Sequence, residues 1–144
     1  MSIAEAPLLG TDPLLSTTER GVLQLQRPPT NPDELWWLVK AMFNVALPRV
    51  AICVEEGHVS PFDAFCEGYF GNDANWVLWY GSRGTGKSYM LALLALVKAA
   101  VLEIDVTLLG GSMAQSQNVQ SHVEDLMKRP GAPRHVVSKQ IQTE

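Results

Sequence analysis

A chain of 144 residues, 47% of them apolar, can bury one core, so a compact domain with a flexible end is the expectation. The net charge of -4 and the pI near 5.3 argue against a uniformly basic nucleic-acid-binding module, although an ATPase that handles DNA can gather its cations on one surface. Met1 to Gly10 has no basic run and carries Glu5, unlike a secretory signal, and Tyr89 to Leu102 is broken by Lys98 and falls short of the ~18 residues of a membrane span.

Residues 1–30 carry Pro7, Pro13, Pro28 and Pro29 among Ser and Thr with no sustained period, as in a flexible arm, although Thr17 to Gln26 is compatible with a short helix. Asn31-Pro32-Asp33-Glu34 is a helix start: a side-chain cap, proline at the first position and acids at the positive end. The helix should run to about Ala46, before Pro48, with Leu35, Val39, Met42, Phe43 and Ala46 on one apolar stripe. Trp36 and Trp37 could stack on bases, but a Trp pair on an amphipathic helix more often packs.

Val50 to Val54 is a short β-branched run that the pattern does not assign to a type. Glu55-Glu56-Gly57-His58 reads as a solvated turn rather than a metal site, because a third ligand is not evident. Cys53 and Cys66 have no close Cys partner and no His that would complete a four-ligand zinc site, so both read as reduced thiols of a cytoplasmic protein. Ser60-Pro61-Phe62-Asp63 starts a helix to about Phe70, closed by Gly71 and Asn72. Its aromatic side, Phe62, Phe65, Tyr69 and Phe70, is either a core face or, at Phe62, a platform for an adenine ring.

Trp76 to Tyr80 has strand character, and the Gly81-Ser82-Arg83-Gly84-Thr85-Gly86-Lys87-Ser88 that follows matches G-x-x-x-x-G-K-[ST]. Glycines at positions 81, 84 and 86 permit a tight, partly left-handed path that turns successive N–H groups toward phosphate oxygens at a helix start. Lys87 supplies an ammonium near the β/γ oxygens, and the Ser88 hydroxyl can take one coordination position on Mg²⁺. Tyr89 to Leu102 is then a buried helix and Ile104 to Leu109 a second strand, giving a right-handed βαβ unit. Ser112 to Gln115 is a capping box that opens a helix to about Lys128, with Val119, Val123, Leu126 and Met127 inward. Pro130 to Pro133 is a loop, and His135-Val136-Val137 could begin a further strand.

The Arg-containing loop, the Leu108-Leu109-Gly110-Gly111-Ser112 and Gln115-Ser116 stretches after it, and Ser60 to Phe65 ahead of it resemble the N-terminal ATPase of the large terminase subunit of tailed bacteriophages. The likeness is strongest from about Val59 to Leu126. It implies an α/β P-loop NTPase of ASCE type, three-layered with a parallel central sheet, and an ATP- and Mg²⁺-dependent motor that drives double-stranded DNA into the procapsid. It further implies a homo-oligomeric ring on the portal protein, a small terminase subunit as partner, host cytoplasm as location and no membrane. Residues 81–88 would hold the nucleotide, Lys87 and Ser88 the phosphates and Mg²⁺, and Arg83 would reach the γ-phosphate; without the resemblance Arg83 is a solvated loop side chain. Gly110 to Gln115 would lie near DNA.

The region ahead of the loop lacks a Gln placed to read adenine. After Ser88 no apolar strand ends in Asp-Glu: Glu103 and Asp105 flank a strand start, and Glu124 and Asp125 sit in a helix. The expectation is therefore an arm over 1–30, a helical segment over 31–75 packing on the ATPase, and the first part of the ATPase core over 76–144, ending before the acidic strand. A helicase-like ATPase or small kinase, and a non-catalytic nucleotide-binding or assembly module, are the alternatives; the long stretch ahead of the loop argues against a kinase.

Overall fold

The regular structure begins where a side chain first supplies an acceptor for orphan backbone donors. In the computed structural model, which describes residues 27–51, 53, 55–71 and 76–133, helix α1 spans Pro32–Phe43. Asn31 Oδ1 accepts from Glu34 N at 2.9 Å, and Pro32 needs no acceptor at the first position. Glu34 reaches back to accept from Thr30 N at 2.9 Å, and both its oxygens take the Arg27 guanidinium, at 2.8 and 3.0 Å. The helix stops three residues short of Ala46 because Asn44 turns left-handed at φ 51°, its N–H bonding the Lys40 carbonyl at 2.8 Å. Leu47 is buried in place of the exposed Ala46.

Helix α2, Pro61–Phe70, is capped by the buried Ser60, whose Oγ accepts from Asp63 N at 3.0 Å and donates to Asp63 Oδ2 at 2.6 Å. Helix α3 spans Lys87–Leu102, and α4, Met113–Met127, is capped by Ser112, with Gln115 accepting in return from Gly111 N at 3.0 Å.

One core joins the four helices of the described residues: Leu35, Val39 and Phe43 of α1, Phe62 and Phe65 of α2, Leu93 and Val97 of α3, and Leu126 of α4. Helix α3 lies between α2 and α4, and α2 also packs on α1. The turn after α4 returns to α1, where a Cβ on Gly131 would meet the Ala41 carbonyl and stand 2.9 Å from that of Met42. Trp36 and Trp37 are half-buried and in edge-on contact at 5.0 Å; Trp36 packs against the core, its Nε1 donating to the Leu47 carbonyl at 2.9 Å. No helix among the described residues is long and apolar enough to cross a membrane.

The expected three-layer α/β/α fold with a parallel sheet is not what forms: the described residues contain helices and no strand. Residues 76–80 and 103–110 run without regular structure, and no backbone bond joins one to the other. Trp76, Tyr80 and Leu109 are 78%, 99% and 90% exposed. The apolar, β-branched composition of these runs records a local preference for extended backbone, whereas a strand exists only when a neighbour takes its N–H and C=O groups. The crossover about α3 therefore joins no parallel pair. Of the arm expected over 1–30, residues 1–26, with the helix at Thr17–Gln26, lie outside the described residues, as do the strand at His135–Val137, Asn72 and parts of the 50–54 run, whereas Arg27 and Thr30 bond to Glu34.

Candidate phosphate-binding loop

Residues 81–86 form an exposed turn at the entrance to α3. Gly84 and Gly86 take φ +86° and +78°, and a Cβ at either would meet nothing within 4 Å. Backbone conformation, rather than crowding, is what demands glycine there. The other three helices begin with a side chain that accepts from the first turn, whereas Gly86 offers none. Met90 N to the Gly86 carbonyl, at 2.9 Å, is the first backbone bond of α3, so the N–H groups of Lys87, Ser88 and Tyr89 are left for an acceptor from outside the helix.

The Lys87 ammonium folds back over the turn and donates to the carbonyls of Gly81 at 2.7 Å and Ser82 at 2.6 Å and to Thr85 Oγ1 at 3.1 Å. Thr85 Oγ1 in turn donates to the Ser82 carbonyl at 2.9 Å. A positive charge, open amide donors and the N-terminal end of a helix dipole converge at one solvent-exposed point, an arrangement that attracts an anion. No atom lies within 4 Å of the Cβ position at Gly84 or Gly86, so the outer face of the turn is open. The half-buried Ser88 hydroxyl makes no hydrogen bond to the described residues, which fits it for one place on a metal ion.

An open cleft of about 430 Å³ adjoins the turn. Lys87, Ser88 and Lys98 of α3 line it together with Trp76 and Trp79. Trp79 packs close to Gly68 of α2, where a Cβ would stand 3.0 Å from the indole, and the buried indole Nε1 has no acceptor among the described residues.

The structure thus brings Gly81 through Ser88 into one turn. Phe62 stands apart from it: 2% exposed, it belongs to the core, with the Arg49 guanidinium 5.2 Å from its ring, and it does not line the cleft. Arg83 is exposed on the turn. Gly110 to Gln115 serves as the entry to α4, where Gly110 packs so closely that a Cβ would stand 2.7 Å from Ser116 N.

Sequence reading missed Lys98, Trp76 and Trp79 as cleft residues. Positions 87, 91, 94 and 98 fall at i, i+4, i+7 and i+11, so the helical period already places Lys98 on the same face as Lys87. It also missed that Cys53 stands beside Glu55 and His58. Compared with protein-family models, with curated proteins and with solved structures, the chain finds no match in any of the three.

Proposed function

We propose that residues 81–88 bind the β- and γ-phosphates of ATP, with Mg²⁺ at Ser88, and that the chain is the ATP-binding part of a DNA-packaging motor of the large terminase kind. The observation that carries the nucleotide reading is the uncapped start of α3, its amides and the Lys87 ammonium converging on a turn held by two left-handed glycines. In this reading the turn N–H groups and Lys87 orient the phosphates, Lys87 exchanging its carbonyl contacts for phosphate oxygens. Mg²⁺, when bound, offsets phosphate charge. Arg83 stands on the same turn, within the loop that would meet the γ-phosphate. The motor reading, with double-stranded DNA as cargo and the portal and small terminase subunit as partners in the host cytoplasm, rests on the sequence resemblance alone.

Titration of the 144-residue chain with Mg·ATP tests the nucleotide reading. Lys87→Ala should weaken binding about ten- to a hundredfold, the size of a lost charge-assisted hydrogen bond. Equal affinity in the two proteins overturns it.

A second reading, nucleotide binding without turnover, is favoured by one feature: among the described residues no carboxylate lines the cleft beside Lys87 and Ser88. Phosphate release measured with and without double-stranded DNA separates the two. Turnover abolished in Lys87→Ala supports the motor; tight binding with no release supports a binding module.

A further inference from the structure

A second cluster of ligand-type side chains lies away from the phosphate loop, in the segment between α1 and α2. Gly57, left-handed at φ +86° with nothing near its Cβ position, lets the chain reverse, and His58 N donates to the Glu55 carbonyl at 3.2 Å. That turn sets the Glu55 and His58 side chains on one side, with Nε2 and Oε2 3.9 Å apart. The partly exposed Cys53 stands at the same point, and the three ligand atoms all lie within 4.8 Å of one another.

We propose that Cys53, Glu55 and His58 form a binding site for a Zn²⁺-class divalent cation, distinct from any Mg²⁺ at the phosphate loop. Tetrahedral bonds of about 2.0 to 2.3 Å separate neighbouring ligands by roughly 3.3 to 3.8 Å, so closure by about an ångström is required. Glu55 and His58 are exposed enough to make it by rotating side chains. One thiolate, one imidazole and one carboxylate match a borderline-soft ion, whereas Mg²⁺ and Ca²⁺ favour oxygen donors throughout. Thiolate and carboxylate together balance the double positive charge, the thiol proton leaving to solvent on binding. Three protein ligands leave a fourth position for water or a partner's side chain. Cys66, the other thiol, is no competitor: burial pushes it up to about 11, with Asp63 adding to the effect.

The test is Co²⁺ titration of the whole chain without nucleotide, read by visible absorption. One Co²⁺ per chain, with a thiolate-to-cobalt charge-transfer band and tetrahedral ligand-field bands that Zn²⁺ displaces, is the expected result. Cys53→Ser should remove the charge-transfer band. His58→Ala and the near-isosteric Glu55→Gln should each weaken binding by about tenfold or more, which is ~1.4 kcal/mol. Cys66→Ser should leave spectrum and affinity unchanged. A charge-transfer band that survives Cys53→Ser, or binding indifferent to Glu55→Gln and His58→Ala in proteins of unchanged helical circular dichroism, overturns the assignment. Glu55→Gln alters no backbone or packing volume, so it decides the matter should the cysteine variant fail to fold.

Discussion

The Lys87 ammonium lies 2.7 Å from the Gly81 carbonyl oxygen, so the last-but-one residue of the motif closes the turn onto its first. The contact is local and exposed, and the turn's shape is carried by its glycines, at 84 and 86, rather than by burial. Alanine at Gly86 would hold its Cβ in a left-handed backbone, at a cost of about 1–2 kcal/mol. Gly86→Ala is therefore predicted to lower stability by about that amount in a urea titration and to weaken Mg·ATP binding. Gly84→Ala should behave alike; unchanged stability in both would mean that the left-handed turn does not persist in solution.

Gly131 tests the closing turn. Its missing Cβ leaves room for the carbonyls of Ala41 and Met42, and neither helical carbonyl can move without disturbing α1. Gly131→Ala is predicted to cost about 1–3 kcal/mol, as overpacking does. Gly68→Ala should cost less, because its close neighbours are side chains rather than backbone, Leu94 at 2.7 Å and the Trp79 indole at 3.0 Å from the Cβ position, and alanine favours a helix interior. Thermal melts of the two variants compare them directly, and a smaller loss at Gly131 contradicts the ordering.

The serine caps differ in burial. Ser60 is 2% exposed and bonds both the amide and the carboxylate of Asp63, while the exposed Ser112 makes a single 3.3 Å contact with Gln115 N. Ser60→Ala is predicted to lose about 1–2 kcal/mol and Ser112→Ala about 0.5 kcal/mol or less. Chemical denaturation of both variants checks the order; equal losses would show that burial adds nothing to the cap.

Glu34 gives a pH dependence. The hydrogen bond from Arg27, then that from Thr30 N, lowers its carboxyl to about 2, against an ordinary value of 4.5. Because the folded value lies below the unfolded one, the stabilisation is complete above about pH 4.5 and disappears as pH falls toward 2. The melting-temperature gap between wild type and Glu34→Gln should close across that window and narrow in high salt, since Arg27 is exposed and Glu34 only half-buried. A gap that stays constant from pH 7 to pH 2 would falsify the contribution of this ion pair.

Helix starts were legible because their chemistry is local. Asn31, Ser60 and Ser112 each cap the helix that their spacing announces, and the apolar stripe of α1 reaches the core. The turn at 81–88 was legible for the same reason, its shape following from glycine positions. The C-terminus of α1 was less so, because a left-handed Asn44 ends it ahead of Pro48.

What the residues determined by themselves is therefore the helices among the described residues and the curl of the turn at 81–86, both governed by contacts within a few positions along the chain. Tertiary structure alone decided three other matters. Trp76–Tyr80 and Ile104–Leu109 do not pair, Phe62 sits in the core rather than beside the loop, and Cys53 joins Glu55 and His58. Each depends on which groups meet across space, and an extended run or an aromatic ring carries the same local signal whichever neighbour it finds.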